Sequence, residues 1–188
     1  MKKYIPLHVH SMYSLLDGLS KPEQIADRCE EIGVKSCALT DHGNIAGAIK
    51  FYGAMKKRGI KPILGCELYI CDNDATIKHK ENRTLSHFLI LAKNYDGWRN
   101  LIRIVSESNR PEHYYFKPRL DLKRLGEMMD GNMIGICGHL GSTLANKLMP
   151  DSVIVSDWEE VGKSYISKFK DIFGEENFFL EAQLMDRD

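Results

Sequence analysis

Five of the seven histidines in this chain lie within or beside short apolar runs of β-strand length. The first two form Leu7-His8-Val9-His10-Ser11. Residues two apart in an extended strand face the same side, so His8 and His10 present two imidazoles together, a natural start for a metal site. The others are His42 in Leu39-Thr40-Asp41-His42-Gly43, His87 opening His87-Phe88-Leu89-Ile90-Leu91, and His139 in Ile136-Cys137-Gly138-His139-Leu140. Glu67 adds a carboxylate in Gly65-Cys66-Glu67-Leu68. A fold that uses this pattern must bring several strands to one pocket.

The segments between these runs have helical periodicity. Ser20-Lys21-Pro22-Glu23 reads as a helix start capped by Ser20. Ile25, Ala26, Cys29 and Ile32 form its stripe and Gly33 stops it. Residues 44–57 predict a helix with Ile45, Ile49, Tyr52 and Met55 on one face. Asp96 caps another through about Glu107, and shorter helices are expected over 122–129 and 142–148. Trp158, Val161, Tyr165, Phe169 and Ile172 mark a long one closed by Gly174. Strands are expected over 4–10, 36–40, 62–70, 87–93, 133–137 and 178–182. Residues 72–86 read as a polar loop, and 109–119 as irregular around Tyr114, Tyr115 and Phe116. Alternation at this spacing predicts a parallel sheet or barrel. Active sites of such folds gather at the C-terminal ends of the strands, where His10, His42 and His139 fall, with Glu67 inside its strand.

Composition narrows the function. With 188 residues, 43% of them apolar, the chain reads as one globular domain over 1–188 with a sizeable core. It has no run suited to a bilayer and no signal-peptide h-region, so a cytoplasmic location without membrane contact is expected. Cys29, Cys37, Cys66, Cys71 and Cys137 are odd in number and scattered, which reads as reduced thiols. Lys plus Arg and Asp plus Glu both total 26. A freestanding nucleic-acid binder usually carries a basic excess. Contact with DNA or RNA is therefore expected at an end only, or through a partner.

Mixed imidazole and carboxylate ligands suit Zn²⁺, Mn²⁺ or Fe²⁺ better than Mg²⁺. Two or three such ions about 3.5–4 Å apart hold a phosphate and activate a water for phosphoester hydrolysis. Glu67 has the two oxygens that bridging requires. Asp41 is placed to orient His42, and Arg119, in Lys117-Pro118-Arg119, to clamp a substrate phosphate. Blander readings stay open. Asp17 can be a turn residue before Gly18, His87 a satisfied strand histidine, and Arg119 a structural ion-pair partner. His79 and His113 have no motif context and read as exposed. Tyr114, Tyr115 and Phe116 can stack nucleobases, but packing is favoured.

Six motifs follow one another in order: His8-x-His10-Ser11, Tyr13-Ser14-Leu15-Leu16-Asp17-Gly18, Thr40-Asp41-His42-Gly43-Asn44, Gly65-Cys66-Glu67-Leu68-Tyr69, His87 to Asn94 with Gly97 and Asn100-Leu101, and Lys117-Pro118-Arg119-Leu120-Asp121. Together they resemble the PHP (polymerase and histidinol phosphatase) domain, in the version that opens the α subunit of bacterial replicative DNA polymerase III. The resemblance runs over nearly the whole chain. It implies a distorted (β/α)7 TIM-like barrel, an α/β fold, with up to three metal ions at its C-terminal face.

Carried over by position, the family's ligands fall on His8, His10, Asp17, His42, Glu67, His87 and His139. The polymerase branch often has cysteine at the last of these. The family's final motif is an Asp-x-His pair after the last strand, beyond a segment like Phe179-Leu180-Glu181-Ala182-Gln183. Asp186 and Asp188 lack that context, so the expected barrel is incomplete at its C-terminal end and one metal is short of ligands. A split gene, a fragment of a larger polymerase or a differently closed site would each account for this. The resemblance implies a metal-dependent phosphoesterase, with Glu67 and Asp17 as catalytic candidates and a 3′–5′ exonuclease acting on single-stranded DNA as the leading substrate reading. Replisome subunits or a polymerase core are the implied partners. The alternatives are a silent module that supports a polymerase or proofreading partner, and a histidinol-phosphate-type phosphatase. Tyr13–Gly18 and His87–Leu101 follow the polymerase pattern and disfavour the last.

Overall fold

The structure, a computed structural model, describes residues 4–183; Asp186 and Asp188 lie outside them. In chain order the elements are α1 (Pro22–Glu31), β1 (Ser36–Leu39), α2 (Ala48–Lys57), β2 (Lys61–Cys71), β3 (Ser86–Ala92), α3 (Tyr95–Ser108), β4 (Tyr114–Tyr115), β5 (Lys117–Asp121), α4 (Leu122–Glu127), β6 (Met133–Cys137), α5 (Thr143–Leu148), α6 (Trp158–Phe173) and β7 (Phe178–Leu180). The strands form a curled, half-barrel sheet. This is the expected α/β barrel in incomplete form.

The sheet is mixed, which corrects the parallel expectation. β2 pairs parallel with β1 and β5, β6 pairs parallel with β7, but β3 is antiparallel to both β2 and β6. The reason lies in the connection. A parallel return needs a crossover, usually helical, and between β2 and β3 the chain has only a loop with a single 3₁₀ turn, Lys80–Asn82. The consequence matters for the site: the start of β3, where His87 sits, comes to the same edge as the C-terminal end of β6 and His139.

Pairing register separates the two faces. Glu67 is opposite Leu89, and Leu89 opposite Ile136, so all three face inward. Leu89, Leu91, Ile136 and Ala38 make the apolar floor of the concave face. Cys66, Leu68, Phe88 and Ile90 point the other way, against Leu101 and Ile104 of α3 and Phe169 and Phe173 of α6. Phe88 and Phe169 stack at 4.8 Å; full burial of such a ring contributes roughly 1.5–3 kcal/mol. A second cluster packs α1 and α2 on β1 through Ile25, Cys29, Cys37, Phe51 and Met55. All five cysteines are free and buried. No helix among the described residues is long and apolar enough to cross a membrane.

Several local expectations are corrected. Residues 5–9 run beside β1 without forming a regular strand. Ala38 N donates to Pro6 O and Thr40 N to Val9 O, but Pro6 has no N–H to return and Val9 N goes to the Thr40 hydroxyl. The Ser20 side chain does not cap α1; Lys21 N bonds the Gln24 side chain instead. α2 starts at Ala48 because the Asn44 side chain holds a turn, donating to Tyr13 O and His42 O. Its buried stripe is Ala48, Phe51, Ala54 and Met55, while Ile49 and Tyr52 are exposed. Asn94, not Asp96, caps α3 by accepting from Gly97 N. The supposedly irregular 109–119 segment holds β4 and most of β5.

Candidate metal centre

Five imidazoles surround one buried carboxylate. Glu67 Oε2 lies 3.1 Å from His8 Nε2, 3.0 Å from His10 Nε2 and 3.3 Å from His42 Nδ1. Its Oε1 lies 3.0 Å from His87 Nδ1 and 3.1 Å from His139 Nε2. Asp17 stands at the rim, half exposed, with Oδ2 3.2 Å from His42 Nε2 and 4.0 Å from His10 Nε2. The structure thus brings together all seven residues that the sequence pattern singles out.

Backbone pairing puts them there. The chain continues past β1 to bond β2: Glu67 N donates to Asp41 O and Gly43 N to Glu67 O. That link fixes His42 beside Glu67. Gly43 has φ +62, and a Cβ there would meet Pro118 Cγ at 2.7 Å, so the turn requires glycine. At the other edge His87 N donates to Gly141 O, and Ser142 N to His139 O, which draws His87 and His139 into one corner. Tyr69 closes the floor, its ring 5.7 Å from His42 and 5.1 Å from His87, with Lys117 Nζ 3.4 Å from its hydroxyl.

Hydrogen bonding alone does not satisfy this cluster. An ionised carboxylate offers about four lone-pair sites, and five imidazoles press on it. His8 Nε2 and His10 Nε2 are only 3.2 Å apart. His42 Nδ1 and both nitrogens of His139 are buried and, despite their nearness to Glu67, lie off hydrogen-bonding angles and have no partner among the described residues. Such groups cost roughly 1–3 kcal/mol each when left unmet. Metal ions would meet them. The triangle of His8 Nε2, His10 Nε2 and Glu67 Oε2 has edges of 3.2, 3.1 and 3.0 Å. Three ligands about 2.0 Å from a tetrahedral ion stand about 3.3 Å apart. Four sets of three side chains offer donor atoms within 4.8 Å of one another: His8, His10, Glu67; His10, Asp17, His42; His42, Glu67, His87; and His8, His139, Glu181.

Burial pushes the Glu67 carboxyl up, but the imidazoles of His10, His139, His8 and His87 outweigh it and hold the group well below the usual carboxylate range. Burial lowers His8, yet Glu67 and Glu181 more than offset this and raise it above its ordinary 6.5. Burial also lowers His42, with Glu67 opposing and His10 and His87 assisting. The signs fix a pH profile for the chelated protein. The His8 contribution is complete below 6.5 and lost as pH rises through its raised value, whereas His42 contributes above 6.5 and loses that as pH falls through its lowered value. Urea unfolding in chelator is expected to show greatest stability near about pH 6.5, with the decline just above that pH removed by His8→Ala; a separate loss above about pH 9 remains, because the unfolded chain's thiols ionise there and the buried ones do not. A decline between about pH 6.5 and 9 that persists in that variant would contradict the assignment.

Three sequence expectations are corrected. Arg119 does not reach the centre: it is fully buried, and its guanidinium donates to the carbonyls of Ala75, Ile77 and Asn82. Asp41 does not orient the His42 ring; it accepts from Ser11 N and from the hydroxyls of Ser11 and Ser14. Ser14 in turn lies 3.4 Å from His10 Nδ1, so Asp41 braces His10 through Ser14. His113 is buried, its Nδ1 2.8 Å from Glu107 O, whereas His79 is exposed as expected. Tyr115 packs under Arg119 and Phe116 under Arg83, so both rings have protein partners. Glu181 was missed. Its signal was an acid directly after an apolar strand, the same placement that drew attention to the histidines.

Likeness to known proteins extends over nearly the whole chain. The profile of the PHP domain matches residues 6–184. The DNA polymerase III subunit alpha of Borreliella burgdorferi is 39% identical over 183 residues, 96% of this chain and 15% of that protein. The Helicobacter pylori protein of the same name is 46% identical over 130 residues, 69% of this chain and 11% of its own length. The chain therefore spans about one-seventh of the first relative. A solved structure from Bifidobacterium adolescentis, described as a metal-dependent phosphoesterase, superposes with a TM-score of 0.54 at 13% identity, over 87% of this chain and 74% of that one. At that identity the likeness concerns the fold.

Proposed function

The chain belongs to the PHP domain family, and from that premise we propose that its histidine–carboxylate cluster is a divalent-metal centre for phosphoester hydrolysis. The observation that carries the reading is the His8–His10–Glu67 triangle, with orphaned His42 and His139 nitrogens beside it. The donor set favours Zn²⁺, Mn²⁺ or Fe²⁺ over Mg²⁺, in two or three sites. Bound there, the metals supply Lewis acidity toward a phosphoryl oxygen and an acidified water. His8, His10, His42, His87 and His139 would hold the centre, and Glu67 would offer it two carboxylate oxygens. Asp17, at the exposed rim, is placed to take a proton from an attacking water. The apolar floor of Leu89, Leu91 and Ile136 lies beneath the centre. Lys117 sets a positive charge beside Tyr69, where a substrate phosphate can be met.

The likeness to polymerase subunits supports a 3′–5′ exonuclease in DNA replication, in the cytoplasm, with single-stranded 3′ ends as substrate and a polymerase core or replisome subunits as partners. Balanced charge, 26 against 26, favours a second reading, a PHP module that supports a polymerase and uses metals for stability. One comparison separates them. Wild type and a His8→Ala/His10→Ala variant, purified identically without chelator, are assayed for metal content and for Mn²⁺- or Zn²⁺-dependent hydrolysis of single-stranded DNA. We expect metal and weak activity in the wild type and loss of both in the variant. Metal loss with no activity in either protein would favour the supporting module; equal metal content in the two would sink the centre itself.

A further inference from the structure

We infer that Glu181 is a positioning residue of this centre, one that fixes the His8 ring so that its Nε2 faces Glu67. The inference rests on the metal-centre reading. Both Glu181 oxygens straddle one atom: Oε2 lies 3.0 Å and Oε1 3.3 Å from His8 Nδ1. The opposite nitrogen, His8 Nε2, lies 3.1 Å from Glu67 Oε2 and 3.2 Å from His10 Nε2. A carboxylate accepts and cannot donate, so Nδ1 keeps a proton for Glu181, which leaves Nε2 as the nitrogen whose lone pair a metal would take on displacing the proton that faces Glu67. A metal-ligating histidine is commonly held by a carboxylate in this way. Direct ligation by Glu181 fits less well, because its oxygens lie on the far side of the His8 ring from Glu67, away from the His8–His10–Glu67 triangle, although they share a donor set with His8 and His139.

The backbone is built for this contact. Glu181 N donates to Cys137 O at 2.7 Å, just beyond the last β6–β7 pair. Gly138 stands between Cys137 and His139 with φ +133, and a Cβ there would lie 2.5 Å from Glu181 O. Only glycine allows the approach. One register thus sets His139 and Glu181 side by side and aims Glu181 at a histidine 173 positions earlier. Gln183 Nε2 donates to Oε1 at 3.3 Å and steadies the carboxylate.

The test titrates the chelator-treated chain and its variants with Co²⁺, read by visible absorption, with Zn²⁺ competition for affinity. Glu181→Ala is expected to weaken binding about 10–100-fold with stoichiometry unchanged. Glu181→Gln keeps a carbonyl acceptor and is expected to recover most of that loss and the wild-type spectrum, which a purely structural role would not produce. Unchanged affinity in Glu181→Ala overturns the inference. So does a Glu181→Gln chain that loses a full metal equivalent, which would make Glu181 a ligand. A wild-type chain that takes up no Co²⁺ overturns the metal-centre reading itself.

Discussion

Glu67→Gln is expected to abolish tight metal binding while leaving the fold in place. Removing an outer partner of a ligand costs roughly 10–100-fold in affinity, and Glu67 is the group that five imidazoles face. The amide has similar volume but only one acceptor, and its NH₂ would meet nitrogens meant to hold metal. A loss exceeding about 100-fold follows, with phosphodiester hydrolysis falling alongside it. The variant also carries a pH signature. The Glu67 carboxyl is held below its unfolded value of 4.5. Its contribution to stability is therefore present above 4.5 and lost as pH falls toward the depressed folded value. Urea unfolding of chelated wild type should weaken through that acid range, and Glu67→Gln should weaken less. Near wild-type Zn²⁺ affinity in this variant would dissolve the central claim.

How much of this was legible in the sequence differs by residue. His8 and His10 were legible because residues two apart in an extended chain share a side even where no regular strand forms, and Glu67 because it is an acid inside an apolar strand. His87 was harder. It opens its strand, and an all-parallel sheet would have put it at the wrong edge. Only the antiparallel turn of β3 places it beside His139, and that depends on a connection too short of helix to cross over. The α2 stripe differs in part for another reason: Met55 is buried as expected, but Ile49 and Tyr52 are apolar yet exposed, while small Ala48 and Ala54 face the core, so side-chain size misplaced half of the face. Glu181 carried only the local signal of an acid after an apolar strand; its role was hidden because its partner lies 173 residues away, and register alone brings the two together. The Asp41–Ser14–His10 brace was hidden similarly, since serines in a turn carry no signal of what they hold.

Arg119→Ala is expected to destabilise the chain sharply without touching its metal chemistry. The sequence offered Arg119 as a phosphate clamp, through the donors that suit it to anions. The fold uses those donors inward. Nε and Nη2 bond Ala75 O at 3.2 and 3.0 Å, Nη2 also bonds Ile77 O at 2.7 Å, and Nη1 bonds Asn82 O at 2.5 Å. The guanidinium carbon lies 5.0 Å from the centre of the Tyr115 ring. One side chain therefore pins the long loop between β2 and β3, which has little regular structure of its own. Alanine would leave a buried void and strip the donors from Ala75 O and Asn82 O, while Ile77 O would keep only the Asn82 amide. By analogy with breaking a buried charge pair the cost is about 3–5 kcal/mol, a fall in thermal midpoint on the order of 10 °C for a domain of this size. Arg119→Lys should also be destabilised, because one ammonium cannot reach three carbonyls set around a planar fork. That variant divides the two roles. A clamp would keep much of its phosphate affinity with lysine and lose no stability, whereas a pin loses stability while Zn²⁺ affinity and the KM for a phosphodiester stay at wild-type levels below the melting range. A variant as stable as wild type but with a raised KM would return Arg119 to the substrate.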